Sequence, residues 1–213
     1  MAVHCIDTGV PFDSNVYLLT GRETILIDTG TGMDADRMLN SIRSFIGSCR
    51  IDRIILTHCH YDHSGGAARL MAEYGCPCYA GHLDANALRN AEQDILVSPM
   101  FSYVMEPLEV EDLHEGDIID NGEHMLQVIC TPGHTAGSIC LYDLENKMLF
   151  SGDTIFAPGI GRTDLPGGSF SELAESIRRI SKLDIIGLYP GHGSASEEYG
   201  SDYVSRALRT VDI

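Results

Sequence analysis

Thr57-His58-Cys59-His60-Tyr61-Asp62-His63 decides how the rest of the chain is read. Three imidazoles and a carboxylate fall within six residues. The stretch follows Ile54-Ile55-Leu56, an apolar run that reads as a buried strand, and precedes Gly65-Gly66, which opens a helical pattern. A strand end turning into a helix start is where α/β proteins place chemistry. In extended backbone, residues i and i+2 point the same way, so His58 and His60 are set to grip one ion. Once the chain turns, Asp62 and His63 face another direction and suit a second ion. Neutral imidazoles and carboxylates fit Zn, Fe or Mn. Four ligand-type side chains in six positions do not form a packing pattern. Cys59, pointed away by the same alternation, reads as a small buried residue.

Upstream of this stretch, residues 3–6 and 15–19 read as strands, Gly21-Arg22-Glu23 as a hairpin turn and 24–27 as the returning strand. That strand runs into Asp28-Thr29-Gly30-Thr31-Gly32. Asp28 is either a turn residue or a carboxylate that holds a ligand imidazole from behind. Met38, Leu39, Ile42, Phe45 and Ile46 recur at helical spacing. Downstream, 67–74 continues as a helix with Gly75 as its C-cap, and 77–80 is a short strand. Residues 81–115 are less regular. Within them 83–91 reads as a helix with a polar outer side. The apolar stretch Ser98-Pro99-Met100-Phe101-Ser102-Tyr103 is either the cover of a pocket or an ordinary surface excursion.

From Asp117 the chain is strand-rich. Residues 125–130 end at Thr131-Pro132-Gly133-His134-Thr135, and 138–142 and 148–150 pair across a turn and end at Ser151-Gly152-Asp153-Thr154. A glycine-rich loop spans 159–168, a helix 170–180, a strand 185–189 that ends at Pro190-Gly191-His192-Gly193, and a helix 197–210. No composition break marks a linker, so residues 1–213 read as one domain of two similar halves, strands and helices alternating in each.

Composition narrows the function. The net charge is −17, a surface that repels phosphate backbones and argues against nucleic-acid binding. Seven cysteines form an odd set without framework spacing, which fits reduced thiols in a cytosol. Cys76-Pro77-Cys78 has one residue between its sulfurs, a poor match to a zinc knuckle or a redox pair. Met1-Ala2-Val3-His4 lacks a basic leader region, and no stretch approaches the ~20 apolar residues of a membrane span. The expectation is a cytoplasmic protein with a small-molecule substrate.

Four strand ends thus carry ligand-type residues: His58 to His63, His134, Asp153 and His192. His58, His60 and His134 make one three-imidazole set. Asp62, His63 and His192 make another. Asp153, with two oxygens, is placed to bridge. Two metals about 3.5 Å apart share a water and lower its pKa toward neutrality. The two carboxylates, Asp62 and Asp153, are taken as catalytic as well as metal-holding. His4, His82, His114 and His124 read as surface or core histidines, His82 the least settled of them. Arg162 and Asp164 read as a pair that stiffens the glycine-rich loop. The sharper alternative puts Arg162 on a pocket rim against an anionic substrate.

The combination resembles the metallo-β-lactamase-fold hydrolases. His58-Cys59-His60-Tyr61-Asp62-His63 matches the HxHxDH signature of that family, and the Thr-Pro-Gly-His, Ser-Gly-Asp and Pro-Gly-His segments match its later motifs in order. Gly161-Arg162-Thr163-Asp164-Leu165-Pro166-Gly167-Gly168 looks like the small glyoxalase II-like thioesterases. The resemblance implies an α/β (α+β) fold, a four-layer αββα sandwich with a binuclear site between two sheets. It assigns one metal to His58, His60 and His134, the other to Asp62, His63 and His192, and the bridge to Asp153. The ions are two divalent cations, zinc first, with iron or manganese as alternatives. The implied activity is hydrolysis of a hydroxyacyl-type thioester by a metal-activated hydroxide, the thiolate leaving readily because its pKa is about 8.5. One departure stands out. About twenty residues follow His192, so the C-terminal helical domain that grips glutathione in longer relatives is not expected. Two alternatives remain: a mononuclear-iron persulfide dioxygenase, which shares the Gly-Arg-Thr-Asp segment, and a non-catalytic metal-binding module.

Overall fold

The computed structural model describes residues 3–157 and 159–212. Met1 and Ala2 of the N-terminal stretch, Pro158 and Ile213 lie outside the described residues. The chain runs Val3–Ile6 (β1), Val16–Leu19 (β2), Ile25–Ile27 (β3), Ala35–Ile46 (α1), Arg53–Leu56 (β4), Tyr61–Ser64 (α2), Ala67–Tyr74 (α3) and Cys78–Gly81 (β5). Helices His82–Arg89 (α4) and Gln93–Leu96 (α5), a 3-10 turn at Ser98–Phe101 and strand Glu111–Leu113 (β6) complete the first half. The second half holds Ile118–Asp120 (β7), Met125–Cys130 (β8), Ile139–Asp143 (β9), Met148–Gly152 (β10), Ile155–Phe156 (β11), Gly159–Ile160 (β12), Phe170–Ile180 (α6), Gly187–Pro190 (β13) and Gly200–Val211 (α7).

Two sheets follow from these connections. Loops without helices give the antiparallel pairs β1–β2–β3, whereas helical crossovers give the parallel pairs β3–β4–β5–β6, as a parallel neighbour requires. The second sheet runs β13-β10-β9-β8-β7, antiparallel except where α6 carries the chain from the β10 side to the parallel β13. Three apolar clusters fill the three spaces between four layers. Val16, Leu18, Leu26, Ile54 and Leu56 turn toward α1, α3 and α4. Tyr17, Leu19, Ile25, Ile27 and Ile55 turn the other way, against Leu126, Val128, Leu141 and Phe150 of the second sheet. Ile129, Cys140, Leu149 and Leu188 face α6 and α7. Period-two alternation with both faces buried is what a covered sheet demands, and it yields the expected αββα sandwich.

Helix ends obey local chemistry. Asp34 accepts from the Arg37 amide at 3.2 Å, Ser169 accepts from the Glu172 amide at 3.4 Å, and α3 stops at Gly75 in the left-handed conformation, the cap expected of it. Three details differ from the sequence reading. The helix opens at Tyr61, inside the histidine motif, rather than at Gly65. The loop expected over 159–168 begins with a two-residue strand, β12, that pairs with β11. The helix expected over 83–91 begins at His82 and buries Asp84. Elements of two to four residues carry too few positions for a period to register.

His124 is a core residue. Its Nδ1 lies 2.6 Å from Asp143 Oδ2, and both side chains are fully buried. Asp143 also accepts from the amides of Glu145 and Asn146 and from the Asn146 side chain, which fastens the β9–β10 turn. Burial raises the Asp143 carboxyl, but the bonds from His124 and Asn146 outweigh it and hold the group below its ordinary 3.8. A depressed folded-state pKa adds stability above the ordinary pKa and loses it as pH falls through the folded value. Asp143→Asn is therefore expected to lower the melting temperature at pH 7, with the gap to wild type closing as pH drops below about 4. Thermal scans from pH 7 to pH 3 check this; a gap independent of pH rejects it.

Candidate metal centre

Loops from both sheets deliver the seven expected side chains to one place. His58 and His60 follow β4, and Asp62 and His63 ride the first turn of α2. His134 comes from the β8–β9 loop, Asp153 from the end of β10 and His192 from the end of β13. The rings of His58, His60 and His134 stand nearly perpendicular to one another, with centroids 4.6–4.8 Å apart. His60 Nδ1 and His134 Nε2 are 2.9 Å apart. In the second group His192 Nε2 lies 3.3 Å from His63 Nε2 and 3.0 Å from Asp62 Oδ2. Asp153 reaches both groups. Its Oδ1 is 3.3 Å from His63 Nε2, and its Oδ2 is 3.5 Å from His134 Nε2 and 3.8 Å from His192 Nε2.

These separations suit cations. Donors placed 2.0–2.1 Å from a tetrahedral ion lie about 3.3 Å from each other. Such a set brings lone pairs face to face, an arrangement that a shared proton or a bound cation relieves. His58 Nε2 and Asp153 Oδ1 are buried and have no hydrogen-bond partner, although buried polar atoms are rarely left so.

Partners behind the rings fix which nitrogen faces inward. Thr57 Oγ1 donates to Asp28 Oδ2 at 2.8 Å and so accepts from His58 Nδ1 at 3.2 Å. His63 Nδ1 donates to Asp28 Oδ2 at 2.9 Å, and His134 Nδ1 donates to the Arg162 carbonyl at 2.8 Å. Each bond leaves an Nε2 lone pair toward the centre, the arrangement that orients imidazole ligands. Asp28 is thus the carboxylate behind a ring rather than a turn residue alone. Its φ of 60° places a non-glycine residue in the left-handed region, where strain persists only under constraint. Its Oδ1 also accepts from the Thr57 amide at 2.8 Å.

The electrostatics divide the site. Burial and neighbouring imidazoles push His58 well below its ordinary pKa and His60 down to about 3, so both stay neutral and able to donate lone pairs. Burial also disfavours a charge on His63, but Asp153, Asp28 and Asp62 overcome it and raise that group. Burial acts on Asp62 and Asp153 as well, yet the surrounding histidines keep both carboxyls below the usual range. Two rings held neutral, His58 and His60, thus stand beside a group in which the carboxylates of Asp28, Asp62 and Asp153 favour positive charge on His63.

Sequence reasoning missed Asp84, which is 2% exposed. Its Oδ2 accepts from the Cys59 amide at 2.8 Å and the Thr135 hydroxyl at 2.7 Å, and its Oδ1 accepts from the Gly137 amide at 2.8 Å. The loop bearing His58 and His60 is thereby tied to the loop bearing His134. No sequence signal pointed there, because an acidic residue in a helix's first turn is ordinary. Cys59 is fully buried, as alternation required.

A cavity of about 420 Å³ opens over the centre, lined by His60, Asp62, His134, Asp153 and His192 on one side and by Val97, Met100, Phe101 and Phe156 on another. Arg162 is the one Arg or Lys among its described lining residues. Its guanidinium is bound to Asp164 through two bonds of 2.8 and 2.6 Å, the pairing expected to stiffen the loop. His82, Asp112 and His114 gather separately on the surface, and His4 stacks on Phe45.

A family profile described as the Metallo-beta-lactamase superfamily matches residues 9–192. The chain belongs to the metallo-β-lactamase superfamily. It is 34% identical over 200 residues to a probable metallo-hydrolase of Methanocaldococcus jannaschii, covering 92% of this chain and 95% of that one. It is 35% identical over 176 residues to a hydroxyacylglutathione hydrolase of Bdellovibrio bacteriovorus, covering 81% of this chain and 60% of that protein. Among solved structures it is similar to TTHA1623 in a di-iron-bound form, with 31% identity, a TM-score of 0.78 and coverage of 97% and 98%. The BLEG-1 B3 metallo-β-lactamase aligns with a TM-score of 0.83 at 25% identity, covering 99% of both chains. Superfamily membership and the His/Asp cluster together make this a divalent-metal site. No described helix is long and apolar enough to cross a membrane.

Proposed function

We propose that this superfamily member is a thioesterase that hydrolyses an acyl thioester of the hydroxyacyl-thiol type. His58, His60 and His134 would hold one divalent ion and Asp62, His63 and His192 a second, with Asp153 between them, and zinc is the first choice. The observation that carries the reading is what the cavity lacks. Every titratable side chain lining it is a ligand-type residue except Arg162, and Arg162 is bound to Asp164. No free acid stands ready to protonate a leaving group. A thiolate, with a pKa near 8.5, leaves without one, whereas an amine does not. Bound ions would supply an activated water near neutral pH and polarise the carbonyl. The protein's part is to orient. Asp28, Thr57 and the Arg162 carbonyl lock the rings, Asp84 sets the spacing between loops, and Met100, Phe101 and Phe156 shield the centre from bulk water.

The named hydroxyacylglutathione hydrolase relative supports the same substrate class, and seven unpaired cysteines support a reducing, cytoplasmic setting. A mononuclear-iron persulfide dioxygenase would leave Asp62, His63 and His192 with no cation among three converging donors, and a purely structural metal module would not need an open cavity above them. The test is metal quantification alongside hydrolysis of a lactoylated thiol on one preparation. The expected result is two equivalents of metal and thioester cleavage that a chelator removes and zinc restores. Oxygen uptake with a persulfide on a one-iron protein, or a metal-loaded protein inert toward thioesters, overturns the proposal.

A further inference from the structure

We propose that the substrate carries an extended apolar arm, and that residues 97–104 with Phe12 and Met33 form the surface that selects it. The chemistry of this inference rests on the thioesterase reading; the binding does not.

Phe12, Met33, Met100, Tyr103 and Val104 are each about half exposed or more, an unusual concentration of large apolar groups on so acidic a protein. They do not form an isolated patch. Met100 and Phe101 line the cavity over the metal centre and also an adjoining groove of about 450 Å³ with Phe12, Met33 and Ser102. A molecule whose reacting carbonyl lies over the centre therefore finds continuous apolar surface leading outward. That continuity is why the occupant is the arm of the substrate.

The segment is held in shape rather than merely left exposed. Val97 and Ser102, at either end of its 3-10 turn, take φ values of 49° and 57°. That conformation is a true outlier for a β-branched valine and survives only where the surroundings impose it. Gln93 imposes it. Its Oε1 accepts from Ser98 Oγ at 2.6 Å and the Met105 amide at 2.9 Å, and its Nε2 donates to the Ala91 and Met105 carbonyls at 2.7 and 2.8 Å. A rack of rings backs the turn: Tyr61 stacks on Tyr103 at 4.9 Å and meets Phe101 at 5.4 Å, and Phe101 meets Phe12 at 6.1 Å. Tyr61 sits between His60 and Asp62, so the selecting surface is anchored on the metal motif itself. Methionine and phenylalanine side chains adapt to flexible alkyl or aromatic groups. Nothing in the groove binds an anion: it has no Arg or Lys among its described residues, and Arg162 across the cavity already has a carboxylate. An alkyl or aryl arm fits; an anionic peptide does not.

The test uses the metal-loaded protein and two series on N-acetylcysteamine, hydrolysable S-acyl thioesters and non-hydrolysable S-alkyl thioethers, each from two to ten carbons. Calorimetric affinity for the thioethers, and kcat/KM for the thioesters, are expected to rise about threefold to fourfold for each methylene the groove covers. Phe12→Ser and Met100→Asn, both on exposed side chains, are expected to flatten the rise. Affinity independent of chain length overturns the proposal even if short thioesters are cleaved. Length-dependent thioether binding without any thioester cleavage upholds the groove and rejects the thioesterase reading. A rise that both variants retain, or a dimer in sedimentation that Met100→Asn dissolves without altering the series, assigns the surface elsewhere and overturns it.

Discussion

Asp153→Ala is expected to lower thioester turnover by on the order of a thousandfold or more, because metal activation supplies several kcal/mol of the barrier reduction. The geometry explains the size. Asp153 lies within 3.8 Å of donors from both groups, its Oδ1 facing His63 and its Oδ2 facing His134 and His192. No neighbour can swing in to replace it, since Asp28 is spent on Thr57 and His63 and Asp62 faces His192. Metal content is expected to fall from two equivalents toward one, while circular dichroism stays native, since Asp153 fastens no backbone. Wild-type turnover in this variant rejects the assignment; lost turnover with full metal content rejects the bridging role alone.

Asp84→Ala is expected to cost about 3–5 kcal/mol of stability, because it orphans several buried hydrogen-bond donors at once. Three donors, the amides of Cys59 and Gly137 and the Thr135 hydroxyl, would be left without an acceptor inside the protein, and each such loss costs about 1–3 kcal/mol. For a chain of this length that is a fall of roughly 6–20 °C in melting temperature. Asp84→Asn is also expected to be poor, because its amide NH₂ must point at one of those donors. Activity is the second readout. The two loops that Asp84 ties carry His58, His60 and His134, so at temperatures where the variant is folded its metal affinity should drop by about 10–100-fold, as it does when ligand-supporting groups are removed. A variant less stable but equal in metal affinity would reduce Asp84 to a packing role.

The contrast between these two residues shows what the sequence could disclose. Asp153 was visible because Ser-Gly-Asp ends an apolar strand, and the same logic exposed His134 and His192 after Pro-Gly. Ligand residues announce themselves through local pattern, a strand ending in a small, turning segment. Asp84 acts across 25 residues on Cys59 and 53 residues on Gly137, and contacts at such separations leave no local trace. Asp28 lay between these cases: its place after a strand raised the right possibility, which only the 2.9 Å contact with His63 decides. The layered fold was legible for the same local reason, since 16–19, 25–27 and 54–56 are apolar throughout. The apolar stretch at 98–103 left two readings open, and the structure places Met100 and Phe101 on the cavity wall.

His58, His60, Asp62 and His63 are carried by the six-stranded sheet, and His134, Asp153 and His192 by the five-stranded one. The cluster therefore straddles the seam of the sandwich. A cation seated there is a rivet: it has affinity only for the state in which both halves are docked, and at a thousand times its dissociation constant it adds about 4 kcal/mol to their cohesion. Without it, the two sets of ligands are joined by contacts among the side chains themselves, such as Asp153 to His63 and His192 to Asp62. Metal scarcity is then expected to lower the stability of the molecule as well as silence it, because the lost ion is one of the ties between the two sheets.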